Sequence, residues 1–469
     1  MTLEELSSHI RKTFGFVPTR EQEQAIRQFC LFLTDRDNHT VMMMRGCAGT
    51  GKTSLAGAIV KTMKALGQKT VLLAPTGRAA KVFSLNADAP AFTIHRRIYR
   101  STVGVSVADA AFRQNDNLHT DTLFIVDEAS MIANTPTTAT VFGMGCLLDD
   151  LVRYVYSGRN CRLMLIGDAA QLPPVGQEES PALSTQVMAG YGMKVYSCDL
   201  NEVLRQSAGS GILYNATLIR GYMEGGLPKV RLTGFADVVV VPGNELIEQL
   251  NTSYSRVGID DTIVVTRSNK RCIIYNQGIR STILDREEIL CTGDQLMVVK
   301  NNYHWKEGSF IANGDLAVVQ RVRNMRQLYG FSFADVWLRF PDYDDELQAT
   351  VILDCLTSEA PALTHEQQEK LYNEVMADYA DIPLKADRLK ELKADAYYNA
   401  LQVKYAYAVT CHKAQGGQWA HVYLDQGYMT DDMLTPDYIH WLYTAFTRAT
   451  EKLFLVNWPS TQIENAPSS

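Results

Sequence analysis

The sequence predicts an α/β chain built as two lobes, each a parallel sheet flanked by helices, with a β-rich and then helical insertion in the second. Three observations carry this. Gly46-Cys47-Ala48-Gly49-Thr50-Gly51-Lys52-Thr53 follows the apolar run 40–44 and precedes the helix-competent stretch 54–66, the order strand, phosphate-binding loop, helix. Residues 70–74, 122–126 and 162–166 are further short, continuous apolar runs of the kind buried in parallel sheets. A second set of such runs, at 262–266, 406–410, 421–425 and 453–457, comes without a phosphate loop and is split by a segment of different character.

A length of 469 residues suggests roughly three domains, and 46% hydrophobic with 21% charged residues is ordinary for a soluble globular chain. The start, Met1-Thr2-Leu3-Glu4-Glu5, has neither a basic nor an apolar leader region. With no apolar run near ~18 residues, the expectation is a cytoplasmic protein without a membrane partner. Nine scattered cysteines with no C-x-x-C pair support neither a disulfide framework nor a zinc or iron–sulfur cluster. The net charge is −7, but residues 341–400 hold fourteen Asp and Glu against five Lys and Arg, which leaves the remainder at +2. A polyanionic partner is therefore not excluded, because a groove needs local positive charge.

Along the chain, residues 3–14 read as an amphipathic helix, and Thr19 as the cap of a second helix carrying Gln22, whose amide offers a donor and an acceptor to an adenine edge. In the phosphate loop, Gly46, Gly49 and Gly51 let the main chain approach a triphosphate, and the N–H groups of Thr50 and its neighbours point inward. Lys52 would reach the β- and γ-phosphates, and the Thr53 hydroxyl would hold Mg²⁺. The run 70–74 turns through Thr76-Gly77-Arg78 into a helix with Lys81, and Thr93-Ile94-His95-Arg96-Arg97 repeats that pattern. Such strand-to-helix turns form the ligand edge of an α/β sheet. Residues 101–120 suggest a small β excursion. The run 122–126 delivers Asp127 and Glu128, placed for metal binding and for taking a proton from attacking water. The run 162–166 ends in a proline-fixed loop that carries Gln171, placed to sense the γ-phosphate or its water. Residues 286–330 look β-rich, with Asn313-Gly314-Asp315 as a turn, and the acidic block after them looks largely helical.

In this order the motifs resemble superfamily 1 DNA helicases of the RecD/Dda/Pif type, the group that moves 5′-to-3′ on single strands. The resemblance runs from Thr19 to about Ala449, and its most specific pieces are GDAAQLPPV, VTCHKAQG and YTAFTRA. It implies two RecA-like P-loop NTPase lobes: residues 1–206 as the first, with a small β insertion near 100–120, and 207–285 with 404–469 as the second, interrupted by an SH3-like and helical insertion over 286–403. It implies ATP and Mg²⁺ as cofactors, single-stranded DNA and duplex forks as partners, a monomer, and a nucleoid-associated place in the cytoplasm. By similarity Gln22 reads adenine, Lys52 and Thr53 contact triphosphate and metal, and Asp127 and Glu128 are the metal and catalytic acids. Gln171, Arg205 and Arg448 correspond to γ-phosphate sensors and arginine fingers, while Thr76, Arg78, Thr93, His95, Thr410 and His412 fall in strand-binding motifs. The chain departs from the pattern at Ala414 and Gln418, where a Ser and an acid are usual. A translocase that does not separate duplex remains as an alternative, and a P-loop small-molecule kinase as a remoter one that would not need the motifs of the second lobe.

Overall fold

The computed structural model describes residues 2–100, 113–135, 145–203, 209–223, 226–306, 310–343 and 345–464. Its first sheet is built from β1 (Thr40–Gly46), β2 (Lys69–Ala74), β3 (Ala91–Thr93), β6 (Thr122–Val126), β7 (Arg162–Gly167) and β8 (Lys194–Leu200), while β4 (Tyr99–Arg100) and β5 (Arg113–Gln114) form a separate two-stranded ribbon. The order is β3-β2-β6-β7-β1-β8 with every pair parallel. The phosphate-loop strand therefore lies inside the sheet, and Val41–Met44 are fully buried. Helices on one face bury Leu6, Ile26, Phe29, Leu55 and Ile59 against Met42 and Met44; those on the other bury Leu148, Leu151 and Val155 against Val41 and Met43. Of the span 101–120, where a small β excursion is expected, residues 101–112 lie outside the described residues, and within the rest only Arg113–Gln114 is strand, paired with Tyr99–Arg100.

The second sheet begins with β9 (Val238–Val241) and β10 (Thr262–Thr266). The chain then leaves it for a closed barrel of β11 (Gln295–Val298), β12 (Leu316–Leu328), β13 (Phe331–Phe340), β14 (Asp345–Ile352) and β15 (Leu401–Tyr405), and returns for β16 (Ala408–Thr410), β17 (Trp419–Asp425) and β18 (Ala449–Val456). The parallel order is β16-β10-β17-β18-β9. A barrel has no open edge to protect, which suits a small inserted unit.

The acidic block differs from its expected helical form at its start. Residues 345–352 are barrel strand β14, because Ala349 and Val351 face the barrel interior while Glu346 and Gln348 on the opposite face stay exposed. The helices follow at His365–Asp378 and Lys385–Ala394 and cover Phe331, Phe333 and Ile352 through Leu371, Val375 and Leu392. Seven of the nine cysteines are buried as small apolar residues, as expected. Among the described residues no helix is long and apolar enough to cross a membrane.

Candidate functional site

The carboxyl ends of β1, β6 and β7 converge on one cleft, the usual place for a ligand in a parallel α/β sheet. Gly49 and Gly51 sit at φ of +76° and +80°, in the left-handed region where a Cβ strains the chain. Gly46 has a packing reason instead: a Cβ there would lie 2.9 Å from Leu200 Cβ. Gly51 caps the helix Lys52–Ala65 without any side-chain cap bond, so that helix start keeps its N–H groups for an anion. Lys52 Nζ donates to the carbonyls of Gly46 (2.5 Å) and Cys47 (2.8 Å), folded over the loop it would leave on binding phosphate. Gln22 is buried beneath the loop. Its Oε1 accepts from Thr19 N–H (3.0 Å), and its Nε2 donates to the Thr50 carbonyl (2.9 Å). Both ends of the amide expected to face adenine thus also close a helix cap and brace the loop.

Beyond β6, Asp127 Oδ1 accepts the Glu128 N–H at 2.9 Å. Burial, then the charge of Glu128, push the Asp127 carboxyl up, against the opposing pull of Lys52. Glu128 itself has φ of +52°. A non-glycine held there costs roughly 1–3 kcal/mol and persists only where the surroundings fix it. Beyond β7, Gln171 is buried, and among the described residues its Oε1 has no hydrogen-bond donor. An amide oxygen left in that state can accept from a water in the cleft.

The helix Pro436–Phe446 of the second lobe closes the other side. Tyr443 accepts from Ala48 N–H (2.9 Å) and donates to Asp168 Oδ2 (2.6 Å); Thr444 Oγ1 accepts from Leu172 N–H (2.7 Å). Gln415 Nε2 donates to the Leu172 carbonyl at 2.7 Å, and His440 Nδ1 lies 2.9 Å from that of Ala170. Arg448 is not brought to this cleft. It is buried in its own lobe and donates to Thr444 O (3.0 Å), Gly417 O (3.1 Å) and Thr447 Oγ1 (3.2 Å). The reason is desolvation: a guanidinium this deep needs acceptors, and the end of the preceding helix and the Gly417 carbonyl provide them. Arg205 lies outside the described residues. A cation that sequence reasoning missed stands here instead. Arg220 ends the helix Gly211–Arg220 and contacts Cys47 Sγ in the phosphate loop. Only tertiary contact marks it, since an arginine in the last helical turn is ordinary.

The six strand-binding candidates stand at or just inside the starts of three helices, Gly77–Ala87, Ile94–Ile98 and Cys411–Ala414. Thr76 and Thr93 cap helices, accepting from Ala79 N–H (3.2 Å) and Arg96 N–H (3.3 Å). Thr410 starts the helix Cys411–Ala414 without such a bond. A Cβ on Gly416 would come 3.0 Å from Thr76 Oγ1, so the first and second lobes meet at this point. Arg78 spans the same junction, donating to the Gln418 carbonyl (2.8 Å) with its guanidinium 4.5 Å from the Trp419 ring. The barrel packs against the same helices: Lys81 Nζ donates to Pro341 O (2.5 Å), Arg96 lies over Tyr343 (4.5 Å) and Lys413 bonds Asn313. A cavity of about 340 Å³ remains between these three bodies, lined in part by Arg78, Lys81 and Trp419. Burial lowers His412.

His95, set against Tyr99 and Phe310, is pushed by burial down to about 4 from its ordinary 6.5. The unfolded chain therefore takes up a proton between these values while the folded chain does not, so stability rises with pH across that window and is lost as pH falls through it. His95→Gln is expected to lose less thermal stability than the parent between pH 6.5 and pH 4. Parallel melting curves for the two proteins would remove the assignment.

Residues 18–225 match the family model described as an AAA domain, and residues 405–456 match that of the UvrD-like helicase C-terminal domain. Among curated proteins, the ATP-dependent RecD2 DNA helicase of Deinococcus radiodurans is 28% identical over 216 residues, 45% of this chain and 26% of that protein. An uncharacterized protein of Methanocaldococcus jannaschii is 33% identical over 34% of this chain and 14% of its own length. The chain thus matches only about a quarter or less of either protein. Uncharacterized protein R530 of Acanthamoeba polyphaga mimivirus is 22% identical over 92% of this chain and 98% of its own length. Among solved structures, the Pif1 helicase from Bacteroides in complex with ADP-AlF3 and ssDNA is 15% identical, with 96% of this chain and 95% of that chain covered and a TM-score of 0.48.

Proposed function

We propose, on the premise that this chain is of the superfamily 1 RecD/Pif helicase type, that it hydrolyses ATP between its two lobes to move 5′-to-3′ on single-stranded DNA and to unwind duplex at forks. The observation that carries the reading is the clasp across the cleft, in which one helix of the second lobe bonds both the phosphate loop and the Gln171 loop. A nucleotide bound there touches both lobes, so its hydrolysis changes their relative affinity for each other and for the strand. In this reading residues 1–206 are the first lobe, 207–285 with 404–469 the second, and 286–403 the insertion that roofs the DNA path.

The residues present fit ATP and Mg²⁺. Glycines at positive φ cradle the phosphates, Lys52 is free to exchange its two carbonyls for phosphate oxygens, and paired acids face a single lysine. Thr53 and Asp127 would hold the Mg²⁺, which neutralises charge on the β- and γ-phosphates when bound. Glu128 takes the proton of the attacking water, and Gln171 Oε1 orients that water. Arg448 reaches the γ-phosphate only by exchanging its three acceptors, with Arg205 as its partner. Thr76, Arg78, Thr93, His95, Thr410 and His412 line the strand, and Gln22 meets the adenine edge.

The test is ATP hydrolysis with and without single-stranded DNA, followed by unwinding of duplexes with a 5′ or a 3′ tail. Stimulation by the strand and a requirement for the 5′ tail are expected, with DNA binding that weakens as salt rises because phosphate neutralisation releases counterions. Stimulation without unwinding would favour the translocase, and indifference to DNA would remove the motor.

A further inference from the structure

We propose that Tyr443 is a positioning residue for ATP hydrolysis, whose hydroxyl makes closure of the lobes and the setting of the Gln171 loop a single event. This rests on reading the cleft as the ATP site. The Tyr443 side chain is 1% exposed and belongs to the second lobe, yet both partners of its hydroxyl are in the first. It accepts from the Ala48 N–H of the phosphate loop and donates to Asp168, whose other oxygen accepts Ala170 N–H at 3.0 Å. Gln171 follows directly and sends its own N–H to the Asp168 carbonyl (3.2 Å). The phenol stays protonated, since burial and the neighbouring Asp168 raise it well above its ordinary value.

A hydroxyl that accepts from one group and donates to another has fixed direction. It holds the Ala48 N–H turned toward the second lobe and the Asp168 carboxylate turned toward Tyr443. If the lobes separate, both bonds break together; the phosphate loop gains a free N–H and the Gln171 loop loses its anchor. Thr444, Gln415 and His440 strengthen the grip on the same loop, but Tyr443 alone among these four also reaches the phosphate loop. The local pattern is equally consistent with a core tyrosine at helical spacing, and the tertiary pairing decides between the two.

Tyr443→Phe keeps the ring among its neighbours and deletes the bridge. We expect its kcat for ATP to fall about tenfold, the size of one lost hydrogen bond to a carboxylate, with KM for ATP changed by less than about threefold. In an Asp168→Ala background the same substitution should cost less than about threefold, because half of the bridge is already gone. Amide hydrogen exchange over residues 46–53 should quicken in Tyr443→Phe, a readout that needs no turnover. Three results would overturn the assignment: kcat within twofold of the parent, tenfold losses that multiply in the double variant, or unchanged exchange. Because every readout concerns ATP or the phosphate loop, a parent protein that hydrolyses ATP but does not act on DNA defeats the helicase reading and leaves this one measurable.

Discussion

Glu128→Gln is expected to hold ATP with near-parental affinity and to turn it over ~10²-fold or more slowly, the order for removing a general base. The substitution is close to isosteric, and Gln meets the same left-handed backbone at φ of +52° that Glu already occupies, so the strand end and the Asp127 contact survive. What is lost is the acceptor for the proton of water. Lys52→Ala should behave differently and weaken nucleotide binding as well, because the ammonium acts on both ground and transition states. Equilibrium binding of a fluorescent ATP analogue beside steady-state turnover separates the two. A Glu128→Gln protein with turnover within threefold of the parent would move the base to another residue.

Asp294→Ala is expected to cost on the order of 3–5 kcal/mol of stability, as does removal of one partner from a buried ion pair. Asp294 is fully buried and accepts from Arg280 Nε (3.0 Å) and NH2 (2.9 Å), Arg286 NH1 (2.7 Å), Tyr407 OH (2.8 Å) and Cys291 N–H (2.8 Å). These groups come from the end of a second-lobe helix, the approach to the barrel and the return to the sheet, so the carboxylate joins the insertion to its lobe. Burial raises its pKa, but the bonds from Arg280, Cys291 N–H, Tyr407 and Arg286 outweigh this and hold it below the usual carboxylate range. Its contribution is thus present at neutral pH and lost only as pH falls below the ordinary Asp value toward the lowered one. Urea unfolding followed separately by barrel and phosphate-loop fluorescence probes is the measurement, since a chain of several bodies need not unfold in one step. An unchanged barrel midpoint would show that the two arginines find other partners.

The parts whose physics is local are legible in the order of residues alone. Buried parallel strands read as continuous apolar runs, so 122–126 is β6 and 262–266 is β10 as expected, while 40–44 and 162–166 are each short of the observed strand by one or two residues. The phosphate loop was equally legible, since Gly49 and Gly51 answer to backbone angle and Gly46 to close packing, as was the acid pair at a strand end. β8 was missed because this edge strand buries only Cys198 and Leu200, leaves the rest exposed or half-buried, and shows no apolar run. The acidic charge of 341–400 hid β14 for a related reason: one face of a barrel strand is solvent.

Which side chains share the cleft is set by the packing of distant segments. Arg220 and Tyr443 reach the phosphate loop from positions about 170 and 395 residues away in sequence. Arg448, though carried by the most specific of motifs, faces its own lobe because burial demands acceptors that Thr444 and Gly417 supply. A hydrogen bond between distant segments leaves no periodicity and no spacing in the chain; it exists only once two sheets and a barrel have been packed, and its partners are fixed by that packing.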